Sequence, residues 1–473
     1  MQQILWCAMA LAVATAAALP AHAQDSELTK IREELRQLRE AYESRIQALE
    51  RRLQETEATA GKAQTVAGKA EDTAAQAAVQ ASSRPVGESA FNPAISLILN
   101  GTLSNLKRDP NTFRLNGFVP TMGDVSPPPR GLSLGESEIV LAASVDHLFR
   151  GTLIAAIAPE GGIGVEEGYL QTLGLAHGFT VKAGRFLSGV GYQNEFHAHA
   201  WDFTDAPLVN KVFLGGQLAD DGIQVKWVAP TDLYVDLGIE VGRGRKFPGG
   251  PDGGRSKNGF GSRTVFAHLG GDIGASTAWR VGVSHLRTSP QDRRFDDIDS
   301  TGAGVSNSLS GTSRLWALDG ILKWAQNQNP TYNNFKLQGE YFRRSESGNL
   351  TYDTLAQSRG TQTGGYASRQ SGWYLQGVYQ FIPQWRVGYR YDRLNAGTTS
   401  IGLVNTGTLR AADFPILGDY NPKRNTVMVD WSPSEFSRLR LQVARDYSRV
   451  GEPDNQLFLQ YVMSLGAHGA HKF

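Results

Sequence analysis

The stretch Leu233 to Val241 constrains this chain more than any other. Leu233, Val235, Leu237, Ile239 and Val241 alternate with Tyr234, Asp236, Gly238 and Glu240. A period of two describes a β-strand with one apolar and one polar face. One such strand would fit many folds, but here the pattern recurs. Between Ala94 and Phe473 sixteen candidate strands begin near Ala94, Leu134, Phe149, Val165, Phe179, Gly222, Leu233, Thr264, Thr277, Ser313, Asn334, Gly372, Gln384, Arg424, Phe436 and Gln456, with no helix among them. An even number of antiparallel strands, apolar outside and polar inside, predicts an all-β, 16-stranded antiparallel transmembrane β-barrel over 93–473.

The connections support this. Short ones at Ala229–Asp232, Ile382–Gln384 and Ser432–Glu435 alternate with long ones at 188–220, 243–263, 288–312, 346–370 and 396–422. Short turns on one side and long loops on the other are what a barrel with both termini in the periplasm requires. No segment after the first 23 residues could span a bilayer as a helix. A barrel escapes that test because only alternate residues meet lipid. The net charge of +1 offers no field for nucleic acid.

Ahead of the barrel the sequence reads as three short regions. Ile4 to Leu19 is uncharged and apolar, and Ala21-His22-Ala23 is a small-x-small site, so residues 1–23 are expected to be a signal peptide. Its first residues lack the usual Lys or Arg. Cys7, the single cysteine, falls inside it, which leaves no thiol for disulfides, metal ligation or nucleophilic chemistry. In 24–57, Leu28, Ile31, Leu35, Leu38, Tyr42, Ile46, Leu49, Leu53 and Thr56 form a heptad seam with one four-residue stutter. The narrow stripe predicts a periplasmic coiled coil. Residues 58–92, rich in Ala, Gly, Lys and Thr, read as a helical spacer closed by Ser82, Ser83, Arg84, Pro85 and Gly87.

Trp227, Trp279, Trp316, Trp324, Trp373, Trp385 and Trp431 fall near strand ends, where membrane-interface girdles form. The last strand keeps one apolar parity from Leu457 through Tyr461 and Leu465 to Phe473. Phe473 in that register resembles the C-terminal signal read by the barrel-assembly machinery. The whole of 93–473 resembles sixteen-stranded outer-membrane porins. Val181-Lys182-Ala183-Gly184-Arg185-Phe186, followed by a long loop, resembles the strand ahead of the constriction in the phosphate-selective porin family. An N-terminal coiled coil occurs in that family too. The resemblance implies an outer-membrane homotrimer with the third long loop folded into the pore and Lys and Arg attracting anions. This sequence has fewer lysines at the matching places.

Alternation assigns side chains to the lumen. Arg386, Arg390, Arg438 and Arg440 stand opposite apolar neighbours and are expected to face inward, with Arg280, Lys336, Asp236 and Glu240. The early strands add Glu136 and Glu138. An Arg facing lipid at the midplane would cost roughly 2–4 kcal/mol. The four arginines are read as a basic wall opposed across the pore by acidic groups. Loop 188–220, the expected constriction, carries Glu195, His197, His199, Asp202, Asp205 and Lys211. A solvated polar loop is its simplest reading, although His197 and His199 are zinc-type ligands. No cofactor is expected. The leading function is passive passage of small hydrophilic or charged solutes, and the alternative is specific uptake of zinc or a small anion through the loop histidines. A plugged 22-stranded transporter does not fit the helical N-terminus. An enzyme is disfavoured because no Gly-x-Ser-x-Gly element stands in a strand-turn-helix context. A structural tether is a further reading.

Overall fold

Leu237 and Ile239 point out to the surroundings, Ile239 with 57% of its surface exposed, while Asp236 and Glu240 on either side of them are buried inside. That inversion of a soluble protein's pattern runs around the whole sheet. The computed structural model describes residues 93–466 except 122–124, 159–160 and 252–258, and ahead of them Glu33, Arg36, Glu40, Glu43, Ser44, Ile46 and Gln47. Those seven residues are helical, and Arg36 pairs with Glu33 at 2.7 Å. The signal peptide, the spacer 58–92, Phe473 and the heptad seam apart from Ile46 lie outside the described residues.

The strands are β1 (Ala94–Leu106), β2 (Gly131–Leu134), β3 (Ser137–Ser144), β4 (Phe149–Ile157), β5 (Ile163–Thr172), β6 (Phe179–Leu187), β7 (Ala219–Val228), β8 (Tyr234–Gly242) and β9 (Ser262–Ile273). They continue with β10 (Thr277–Thr288), β11 (Arg293–Ile298), β12 (Gly304–Ala325), β13 (Asn334–Tyr352), β14 (Gln362–Ile382), β15 (Trp385–Ile401), β16 (Lys423–Ser434), β17 (Ser437–Asp446) and β18 (Asp454–Gly466). Strands that lie side by side pair antiparallel, and β1 closes on β18 from Ser96–Gly466 to Leu106–Gln456. β2 and β3 both pair with β1, at Gly101–Ser104 and Ala94–Ile98, so they are two pieces of one stave. β10 and β11 likewise share the face of β12. The result is a closed barrel of sixteen staves, as the alternation predicted. Closure leaves no unpaired edge.

The long staves were read too short from sequence. β12 begins at Gly304 rather than near Ser313, β14 at Gln362 rather than near Gly372, and β13 runs on to Tyr352. The expected loops 288–312 and 346–370 are therefore partly strand, and 396–422 loses its start to β15. The cause is physical. Apolar alternation lasts only as far as lipid does, whereas strand pairing continues into water with polar residues facing out, as Thr351 and Thr363 do. Trp385 and Trp431 are register partners whose rings stack at 6.0 Å beside the short turns, and both are exposed outward. Trp373, also outward, lies nine residues above Ile382, about 23 Å along the normal at an ordinary tilt. That separation suits an apolar band about 25 Å tall.

The interior departs further from expectation. Loop 188–218 contains a helix, α1 (Leu208–Leu214), in which every residue is buried. A four-residue turn of helix, α2 (Gly402–Asn405), sits in the loop after β15. Leu208, Val209, Val212, Phe213 and Leu214 pack on Leu286, Leu315, Phe342, Tyr374 and Leu394 from the inner faces of β10, β12, β13, β14 and β15. Phe118 from the first long loop closes over them, edge-on to Phe213 at 5.9 Å. Inward parity therefore does not mean a wet lumen here: the long-loop half of the barrel holds an apolar core. Phe213→Ala should cost about 3–5 kcal/mol through the cavity it leaves, lowering the denaturant midpoint of the detergent-solubilised barrel. A wild-type midpoint would show that α1 does not hold this site.

Candidate functional site

The inward loop is held by two complementary sets of contacts. Its first residues offer backbone N–H groups to carboxylates on the wall. Leu187 donates to Glu167 at 3.2 Å, Gly189 to Glu240 at 2.9 Å and Gln193 to Glu340 at 2.7 Å. Ser188 Oγ also donates to Glu240, at 2.5 Å. Gly191 has φ +73 and lies against Glu340, where a Cβ would fall 2.2 Å from Oε2, so the turn demands glycine. Glu195 pairs with Arg280 at 3.2 Å, and the Arg280 guanidinium sits over the Tyr192 ring.

Farther along, the loop offers carboxylates to cations. Asp202 meets Lys336 and Arg386, the latter at 3.3 Å. Asp205 meets Arg390 at 3.1 Å, Lys211 at 3.2 Å, and Arg424. Gln442 Oε1 accepts from Thr204 N at 2.8 Å, and its Nε2 donates to Asp205 at 3.2 Å. Burial opposes the charge of Asp205, but Arg424, Lys211 and Arg390 hold its carboxyl well below the usual carboxylate range. Asp202 is lowered too: Lys336 and Arg386 outweigh its burial. Burial depresses the Lys211 ammonium, and Arg424 adds to that against the pull of Asp205.

A second cluster forms where the loop crosses the early staves. His197 Nδ1 lies 3.0 Å from Glu166 Oε2 and 3.5 Å from Glu138 Oε2, and its Nε2 lies 2.7 Å from Glu167 Oε1. His199 Nδ1 lies 2.9 Å from Glu138 Oε1, and the two imidazoles stack at 5.9 Å. Burial works against a charged His197, but the hydrogen bonds to Glu166 and Glu167 hold its pKa well above the ordinary imidazole value. Two consecutive glutamates reach one imidazole because β5 bulges. Ile154 pairs with Glu167 and Ala155 with Val165, leaving Glu166 as the extra residue. A bulge of this kind re-aims a side chain that strict alternation would turn to lipid.

No family model matches the sequence. An uncharacterized protein of Aquifex aeolicus is 30% identical over 421 residues, which span 82% of this chain and 81% of that protein. The chain belongs to the family of that Aquifex protein. Solved structures similar to it include OmpT of Vibrio cholerae with loop L8 deleted, an outer membrane protein, at 12% identity and a TM-score of 0.48 over 79% of this chain and 99% of that one. Others are the outer membrane channel DcaP of Acinetobacter baumannii, at 11% and 0.45 over 79% and 97%, and OprB of Pseudomonas putida, at 13% and 0.46 over 79% and 94%.

Arg280, Lys336, Asp236, Glu240, Arg386, Arg390, Arg438 and Arg440 point to the barrel interior, but they do not form two walls facing each other across open water, and Glu136 lies just ahead of β3 rather than in a strand. Arg390 is only 1% exposed and is taken up by Asp205 and Asp392, the latter at 3.0 Å. Arg440 is bound to Asp430 at 2.7 Å and donates to the Trp201 carbonyl at 3.0 Å. Arg386 meets Asp202 and Asp430, and Arg438 donates to the His199 carbonyl at 2.6 Å. Lys336 pairs with Asp202. Arg280 is paired with Glu195 and Glu240 holds the loop's entry, as above. Asp236 binds Lys226 at 2.7 Å and His268 at 3.3 Å, away from the arginines.

The opposed acids and bases of the loop and wall are therefore in contact, not in confrontation. The loop is mostly buried, not solvated. Asp430 was missed, though the rule that assigned its partners applied equally to it: Val427, Val429 and Trp431 flank it outward, and it is the register partner of both Arg386 and Arg440. Glu166 and Glu167 were missed because period two cannot place both inside.

Asp205→Asn would leave three buried cations under-compensated and should cost about 3–5 kcal/mol, read as loss of protease resistance in loop 188–218. The pH dependence has a definite sign. A carboxyl lowered in the folded state contributes stability above its unfolded pKa, about 3.9, and loses it as pH falls through the lowered value. Wild-type loop protection should therefore persist through pH ~4 and fail only in stronger acid.

Proposed function

We propose that this chain is an outer-membrane porin, a passive diffusion channel for small hydrophilic or charged solutes, in which loop 188–218 is the constriction. Apolar side chains facing out, aromatic residues beside the turns and closure without a free edge suit a lipid setting. The eight connections on the side of loop 188–218, such as 402–422, would then lie outside the cell and the seven on the opposite side, such as 383–384, in the periplasm.

One observation carries the reading. Beneath the loop, on the short-turn side, lies a cavity of about 350 Å³ lined by Lys323, Lys336, Arg386 and Arg438 against Asp202 and Glu435. Four cationic side chains against two carboxylates favour small anions. Charges about 8 Å apart interact by roughly 0.5 kcal/mol in water and 2 kcal/mol at an effective dielectric of 20. Such energies bias passage several-fold without trapping the solute.

The assembly proposed is a homotrimer. The staves β4 to β6 have only 9 or 10 residues each, and with β3 their outer face forms a shallow apolar groove lined by Ala143, Gly151, Gly168 and Ala183. Small outward residues let another barrel approach closely. The heptad seam of 27–56 would add a parallel coiled coil in the periplasm.

The test is reconstitution in planar bilayers with a KCl gradient. The wild type should conduct in steps and prefer chloride. Arg386→Ser with Arg438→Ser should shift the reversal potential toward potassium, a several-fold fall in the anion-to-cation ratio. A folded double variant with an unchanged ratio would take these arginines out of the conduction path, and no conductance at all would remove the channel reading.

A further inference from the structure

The cluster at His197 does more than fasten the loop. Three carboxylates, Glu138, Glu166 and Glu167, converge on two imidazoles. Glu138 is only 1% exposed, and its Oε2 has no hydrogen-bond partner. That oxygen and Glu166 Oε2 both approach His197 Nδ1, at 3.5 and 3.0 Å, and one ligand atom from each of the three residues lies within 4.8 Å of the others. A buried carboxylate oxygen without a donor is costly, and a cation is what its position suits.

We propose that Glu138, Glu166 and His197 form a site for a first-row divalent cation, with Zn²⁺ the best match, which ties the loop to β3 and β5. The distances from His197 Nδ1 to the two carboxylate oxygens, 3.0 and 3.5 Å, bracket the edge of a tetrahedron with bonds of about 2.1 Å, roughly 3.4 Å. The donor set of one imidazole nitrogen and two carboxylates is of the kind zinc accepts. Glu167 completes the arrangement. With Nδ1 on the metal, the Nε2–H donates to Glu167 Oε1, which fixes both tautomer and ring orientation, as carboxylates behind metal-bound histidines do. His199 is stacked on His197 and bound to Glu138.

The site differs in kind from the cavity proposed for conduction. It joins three segments far apart in sequence, one from the loop and two from the wall, so an ion there acts as a clamp on the loop and not as cargo passing through. Hard cations would gain little from the imidazole nitrogen, so Mg²⁺ is expected to bind far more weakly.

The experiment is calorimetric titration of ZnCl₂ into the untagged full chain in detergent, beside Glu138→Gln, His197→Gln and Glu167→Gln, each checked for barrel content by circular dichroism. One Zn²⁺ per chain is expected for the wild type, unaffected by excess Mg²⁺. Glu138→Gln or His197→Gln should weaken binding at least ~100-fold, and Glu167→Gln about 10–100-fold. Co²⁺ in the wild type should give the intense visible bands of tetrahedral coordination, absent in Glu138→Gln. Loop 188–218 should become more protease-resistant with Zn²⁺ than with a chelator. The proposal is overturned if the wild type shows no saturable binding, if a folded Glu138→Gln or His197→Gln variant binds as tightly as wild type, or if Mg²⁺ competes on equal terms. None of these readouts depends on conductance, so this proposal and the channel reading fail separately.

Discussion

The structure depends on burying Asp205 among Arg390, Arg424 and Lys211. Three cations inside a protein cannot stay without compensation, because the desolvation of each is costly. The loop's Asp205 brings that compensation, beside Asp392 and Asp446 of the wall. In return the ion pairs set the depth and register of α1 against the wall, and that helix can then bury Val209, Val212 and Phe213. Neither half suffices. The apolar contacts alone would let the helix slide, and the charges alone would leave a hydrated, mobile loop. Arg344 joins both, with its guanidinium over Phe213 at 5.1 Å and donating to the Val212 carbonyl at 3.3 Å.

The division of donors and acceptors explains how one loop crosses a barrel. At its entry the chain exposes backbone N–H groups, so the wall answers with Glu167, Glu240 and Glu340. Past the turn the chain exposes acids, so the wall answers with lysine and arginine. The wall therefore meets the loop's entry with acids on β5, β8 and β13, and its aspartates with bases on β13, β15 and β16. This polarity serves docking first. Any field on a passing solute comes from the side chains the loop leaves partly open, Lys323, Lys336, Arg386 and Arg438 around the cavity.

The barrel is also uneven in height. β12 and β14 have 22 and 21 residues, whereas β4 has 9. The tall staves rise around α1 and a second apolar cluster of Phe295, Leu350, Tyr366, Leu403 and Phe414. The short ones stand where the histidine and glutamate cluster meets the loop. Tall staves shelter the packed loops from water, and short ones keep the polar cluster close to it.

The chain's own alternation determined the barrel. Apolar residues on every second position can be satisfied only by a lipid-facing exterior, and their count around the sheet gave sixteen staves and the inward direction of Asp236, Glu240, Arg386, Arg390, Arg438 and Arg440. It could not say what those inward groups meet, because alternation reports which way a side chain points and nothing about what fills the space beyond. Tertiary structure decided that the arginines bind the loop's own aspartates, that Leu286, Phe342 and Leu394 face inward onto a helix, and that a bulge at Glu166 brings two adjacent glutamates to one histidine. Those outcomes follow from contacts between residues up to about 240 positions apart, such as Arg438 with His199 and Arg440 with Trp201. No local period in the sequence encodes such pairings; they exist only once the sheet has closed and the loop has folded into it.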